Sequence, residues 1–181
     1  MRITHRLTTR AAASSLAVAA LAFAGVQATA QTAAAAPGKA AAIAACTTAN
    51  TEVTVSDVRR PINHLLVTAT NTSTKPCNAY GAPYLGFGGG QAAVPWLEDS
   101  KPQAVVTLAP GESAYAGIGT YTPDGGEGTT YKTVDVLFAN KAMNGSVGKA
   151  KTLTLPDGGT YVNDSAFVTY WQDNVADALV F

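Results

Sequence analysis

The sequence predicts a two-sheet antiparallel β-sandwich, on three observations. Beyond Cys46 the apolar residues recur mainly with a period of two, the spacing of a strand with one buried face. Gly, Pro, Asn and Asp clusters punctuate these runs at short intervals. No stretch after Cys46 keeps a 3.6-residue period over three turns, so no long amphipathic helix is expected. Seven to nine short strands separated by turns suit two packed sheets, with a closed barrel as the alternative.

The elements follow in order. Val53 and Val55 alternate with Glu52, Thr54 and Ser56 in a run that ends near Val58. Residues 59–63, with Pro61 and Asn63, read as a turn. Leu65, Val67 and Ala69 then share one face, while His64, Leu66, Thr68 and Thr70 share the other, so the two runs make a hairpin with His64 toward solvent. A polar loop, residues 71–76, leads to Cys77. The next segment is rich in turn residues, Gly81 and Pro83 and the glycines around Phe87, and leaves room for short strands at 84–87 and 92–96.

Residues 105–108 form a strand stopped by Ala109-Pro110-Gly111. Pro110 presets φ and Gly111 accepts φ > 0, the requirements of a type II turn. In 113–121, Ala114, Ala116 and Ile118 face one way, and Tyr115, Gly117, Gly119 and Tyr121 the other. Residues 123–128 (PDGGEG) read as a flexible loop. Val134, Val136 and Phe138 alternate in the next strand, Leu153 and Leu155 mark another, and 167–171 is a last long one. A short edge is expected at 177–181. Phe167, Tyr170 and Trp171 are expected in the core.

The N-terminus belongs to export rather than to the fold. Arg2, His5, Arg6 and Arg10 precede an apolar run, residues 11–26, too short to span a bilayer comfortably, and Ala28-Thr29-Ala30 offers a small-x-small cleavage site. Residues 1–30 are therefore expected to be a signal peptide, with the mature chain starting at Gln31. Residues 31–45 are Ala-rich and broken by Pro37 and Gly38, which reads as a flexible linker. The domain is expected over 46–181, secreted or associated with the cell envelope, with no transmembrane segment after cleavage.

An exported chain with two cysteines, Cys46 and Cys77, reads as a disulfide, and no CxxC is present. Closing a loop of about 30 residues stabilises by roughly 3 to 4 kcal/mol in the chain-entropy model. The weighed alternative is a lipidated Cys46, because Ile43-Ala44-Ala45-Cys46 looks like a lipoprotein box, though Gln27, Gln31, Pro37 and Lys39 separate it from the apolar run.

Asn71-Thr72-Ser73 followed by Cys77, then Gly81-Ala82-Pro83, and later Leu108-Ala109-Pro110-Gly111-Glu112-Ser113-Ala114, together resemble a pattern of secreted proteins from high-GC bacteria: the domain-of-unknown-function family forty-two thirty-two. The likeness runs from Cys46 to about Trp171. It departs at Ala82, where that family more often carries an aromatic and where Tyr80 offers a substitute. The resemblance implies an immunoglobulin-like sandwich with one disulfide. It implies no activity and no catalytic residues, since none is established for the family.

Removing Arg2, Arg6 and Arg10 and no acidic residue leaves 9 basic and 12 acidic residues, a net of −3. That excludes a nucleic-acid binder that works by phosphate neutralisation. One histidine remains, His64, and Gly111-Glu112-Ser113-Ala114-Tyr115 lacks the second Gly of a nucleophile elbow. No HExxH or EF-hand spacing appears; Asp124 and Glu127 offer at most oxygen ligands for a weak calcium site. No enzyme, no metal and no cofactor are expected. Aromatics are the remaining lead, because the chain holds seven tyrosines and two tryptophans with only 13% charged residues. Trp96, in a loop-like setting after Pro95, with Tyr84 and Tyr121, makes the candidate ligand-binding set. Pro83, Pro110 and Gly111 are turn residues. The expected function is a monomeric, non-catalytic extracellular module for binding or structural packing, with an unknown extracellular or cell-wall partner. The alternatives are a glycan- or cell-wall-binding module using exposed aromatics, and an exported hydrolase.

Overall fold

The computed structural model describes residues 42–90 and 92–181. The expected signal peptide and residues 31–41 of the expected linker lie outside the described residues. Thirteen strands follow: β1 (Ala44–Ala45), β2 (Thr51–Asp57), β3 (His64–Asn71), β4 (Cys77–Ala79), β5 (Tyr84–Phe87), β6 (Trp96–Leu97), β7 (Val106–Leu108), β8 (Ser113–Gly119), β9 (Thr129–Tyr131), β10 (Thr133–Ala139), β11 (Ser146–Thr154), β12 (Thr160–Val162) and β13 (Phe167–Thr169). One turn of helix, α1 (Val175–Ala178), comes last.

The predicted hairpin forms in full: β2 and β3 pair antiparallel from Thr51↔Asn71 to Asp57↔Leu65. Residues 65, 67, 69 and 71 of β3 are buried and the intervening ones half-buried, because one face of the strand must leave water. β8 pairs along the other side of β3, and the sheet runs β2-β3-β8-β13-β6. A second sheet, β11-β10-β5, lies opposite, with a small sheet β1-β4-β7 and a ribbon β12-β9 completing the fold. One core joins Val53, Val67, Ala116, Ile118 and Val168 of the larger sheet to Leu85, Phe87, Val134, Val136 and Phe138 of the second. Trp171 is fully buried and stacks on Phe138, with 5.3 Å between ring centroids. Tyr170 is buried as expected, Phe167 only half-buried, and Tyr80 and Ala82 are both buried.

The pairing differs from the all-antiparallel expectation in two places, β1 with β4 and β13 with β6, which are parallel. Ala44 and Ala45 therefore belong to the domain rather than to a linker. The β1–β4 pair is clamped by the Cys46–Cys77 disulfide, with Cα atoms 4.9 Å apart. A sulfur engaged in that bond is unavailable for a lipid thioether, so the alternative for Cys46 falls.

The C-terminal segment is helical, not a strand edge. Asn174 caps α1: its side-chain oxygen accepts from the Asp177 N–H at 2.9 Å, and its amide donates to the Asp177 carboxylate at 2.7 Å. The turn lies so close over β8 that a Cβ on Gly117 would stand 2.1 Å from the Ala178 carbonyl oxygen. The expected strand at 92–96 shrinks to β6, and that at 167–171 to β13, after which Trp171 N–H donates to the Gly81 carbonyl (3.0 Å). β9, β12 and the beginning of β11 were not expected. Loop 123–128 is tied down, contrary to expectation: Gly126 N–H donates to the Asp164 carboxylate at 2.7 Å, and the Asn163 amide donates to the carbonyls of Thr122 and Gly126.

Among the described residues no helix is long and apolar enough to cross a membrane.

Candidate functional site

The motif residues gather at one end of β3, around a fully buried Asn71. Its amide donates to the carbonyls of Lys75 (2.8 Å) and Leu108 (2.9 Å), and its side-chain oxygen accepts from the Ser73 N–H (2.9 Å) and hydroxyl (2.8 Å). Its backbone pairs with the turn at 109–112: Asn71 N–H donates to Glu112 O, and Gly111 N–H to Asn71 O, both at 2.8 Å. The turn closes with Glu112 N–H on Ala109 O at 3.0 Å, and Gly111 sits at φ +84°, the type II geometry expected. The Glu112 carboxylate accepts the Ala109 N–H at 2.8 Å. Every polar group of Asn71 is satisfied, so this cluster locks two loops together and offers no free donor or acceptor.

The aromatics separate into two clusters. Trp96 is half-buried rather than exposed: it packs on Tyr84 (4.8 Å) and Tyr170 (5.5 Å), and its Nε1 donates to the Pro83 carbonyl at 3.2 Å. Pro83 thus anchors this ring, which also lies over Gly81, held at φ +59°. Tyr170 donates its hydroxyl to Glu98 at 2.9 Å; burial first, then that bond and the Glu98 charge, push its ionisation up to about 12. Trp96 and Tyr170 thus spend their polar atoms on the Pro83 carbonyl and the Glu98 carboxylate.

Tyr121 lies elsewhere, just past β8, edge-to-face with Tyr161 of β12 at 5.2 Å. Both rings line an open groove of about 310 Å³, together with His64, Asp57, Asp157 and Thr160. Tyr161 is 42% exposed. Across β12, Val162 faces a second groove of about 420 Å³, which Tyr131, Glu127 and Asp164 also line.

The Tyr121–Tyr161 groove concentrates local conflict. Desolvation, then the charge of Asp157 and the hydrogen bond between the two carboxyls, raise Asp57 above the ordinary carboxylate range. Asp157 and Asn63 both sit at positive φ, +49° and +60°. His64 does not stand free in solvent: it is half-buried, edge-on to Phe167 at 5.8 Å, because Phe167 must lie across the bare face of Gly119. Its Nδ1–H donates to the Ile62 carbonyl at 2.7 Å, and its Nε2 is buried without a partner.

Sequence reasoning singled out Tyr121 and missed Tyr161, Asp57 and Asp157. The pairing of Tyr161 required β12, and the two carboxyls meet only once β2 and the turn after β11 are folded. Among the described residues, no group of three or more His, Cys, Asp and Glu is placed to hold a metal.

No curated protein and no solved structure matches the chain. A family model described as "Domain of unknown function (DUF4232)" matches residues 46–172, from the first cysteine to the residue after the buried tryptophan, and the chain belongs to that family.

Proposed function

We propose that this is an extracellular, non-catalytic domain that binds a cell-wall glycan in the Tyr121–Tyr161 groove. The observation that carries the reading is the pairing of two aromatic rings, one exposed and one half-buried, with two carboxyls in one open groove. Aromatic faces pack on the apolar faces of sugar rings, and carboxylates accept from sugar hydroxyls. The disulfide suits an oxidising compartment outside the cytoplasm.

Co-sedimentation of the purified protein with insoluble peptidoglycan tests this. Tyr161→Ala frees the Gly128 N–H from the Tyr161 hydroxyl (2.8 Å) but is expected to keep the fold and to weaken binding about tenfold, and Tyr121→Ala similarly. Binding that survives both substitutions, or release of soluble sugar by the wild type, would overturn it. Mass spectrometry of the exported protein is expected to show a chain starting at Gln31.

A further inference from the structure

The hairpin tip between β10 and β11, residues 140–145, holds the one place in the chain where an asparagine precedes a glycine, Asn144-Gly145. Asn144 is exposed. Its side-chain oxygen accepts from the Asn140 amide at 3.0 Å, and its backbone N–H donates to the Asn140 side-chain oxygen at 3.3 Å. Among the described residues its own amide nitrogen donates to nothing, and the Gly145 N–H has no acceptor. The Gly145 carbonyl is held instead, accepting the Asn140 N–H at 2.8 Å. Gly145 carries no Cβ to hinder approach to its nitrogen, and an added one would stand 3.3 Å from the Asn140 amide. Other asparagines lack this combination: Asn71 and Asn163 each donate their amide to two carbonyls and precede Thr72 and Asp164.

We propose that Asn144 deamidates spontaneously, with Asn140 as the activating donor, so that the domain gains a negative charge with age. Hydroxide takes the Gly145 N–H proton, and the nitrogen bonds to Asn144 Cγ. The carbonyl electrons move onto Oδ1, where the Asn140 amide stabilises the oxyanion. The oxyanion collapses and the Cγ–Nδ2 bond breaks. Nδ2 leaves as ammonia with a proton from water, which restores the hydroxide. Water then opens the cyclic succinimide at either carbonyl, giving aspartate or isoaspartate. The balance is a water consumed and an ammonia released, with no oxidant and no cofactor. Isoaspartate also inserts a methylene into the main chain beside Met143, whose side chain lies over Gly81.

The test is incubation of the purified mature protein at neutral and mildly alkaline pH, then digestion in acid and peptide mass spectrometry. The peptide holding Asn144 is expected to gain the mass difference between an amide and an acid, in separable aspartate and isoaspartate forms, and faster at the higher pH. Asn71 and Asn163 are expected to stay intact. Gly145→Ala is expected to slow the change severalfold by crowding the attacking nitrogen. Asn140→Ala is expected to slow it as well, although it loosens the tip, because the oxyanion loses its donor; circular dichroism checks that both variants fold. An Asn144 amide that stays intact, equal loss at Asn71 or Asn163, or an Asn140→Ala protein that deamidates as fast as the wild type or faster would overturn the proposal.

Discussion

The two ends of β3 were built to different standards. Asn71, at one end, is fully buried with every donor and acceptor paired. His64, at the other, keeps a buried nitrogen without a partner beside two carboxyls that repel each other and two non-glycine residues at positive φ. Seven residues of strand, about 23 Å, separate them. The same pair of neighbours, β2 and β8, flanks both ends, so the difference does not come from the sheet. It comes from the loops, which satisfy one another at the Asn71 end and leave exposed rings and acids at the His64 end. The first end is closed on itself, whereas the second lines an open groove.

The comparison breaks most readily at Asn71. Replacing it with Ala strands the Leu108 carbonyl and the Ser73 groups, and is expected to cost about 3 kcal/mol in chemical denaturation, with glycan binding unchanged in the folded fraction. A loss below about 1 kcal/mol would show that the lock is dispensable. Removing the Cys46–Cys77 bond by a double Cys→Ala substitution is of the same size, roughly 3 to 4 kcal/mol on the chain-entropy model, read from the thermal midpoint of oxidised and variant protein.

At the other end the effects on stability shrink. His64→Ala loses the edge contact with Phe167 and the bond to the Ile62 carbonyl, and is expected to cost about 1 kcal/mol in urea denaturation. Asp157→Asn is the smallest change and the most informative. Asn tolerates the left-handed conformation at this position, and it removes the charge that helps raise Asp57. Because the folded protein holds Asp57 above its ordinary range, the pair's contribution to stability is greatest below that range and is lost as pH rises through the Asp57 ionisation. The variant is therefore expected to be slightly more stable than the wild type near pH 7 and to lose that advantage in acid. NMR titration should place Asp57 lower than in the wild type; an unchanged Asp57 would mean that Asp157 does not act on it.

The sequence made the lock more legible than the groove, for physical reasons. Val53, Leu65, Val67, Ala114, Ala116, Val134 and Val136 show their period because each strand buries one face, and Pro110-Gly111 encodes its turn locally. The cysteine pair followed from count and compartment. The parallel pairings and the β9–β12 ribbon rest on contacts between distant, very short segments, for which periodicity gives no signal. α1 did carry a local signal, Asn174 three residues before Asp177, but four residues are too few to show a helical period. In the groove, Tyr121 stood out as an aromatic, whereas Asp57, Asp157 and Tyr161 are ordinary surface residues until folding brings them together. Trp96, after Pro95 and ahead of Glu98 and Asp99, looks exposed in the sequence, while the fold half-buries that ring over Gly81.

The most direct test of this division between a locking end and a binding end is a backbone-amide NMR titration of the purified mature protein with soluble peptidoglycan fragments. The account predicts saturable shifts concentrated at His64, Thr120, Tyr121, Asp157 and Tyr161, with the amides of Asn71, Ser73 and Gly111 unmoved. Shifts centred on the Asn71 loops, or on Trp96 and Tyr84, or no shifts at saturating ligand, would contradict it.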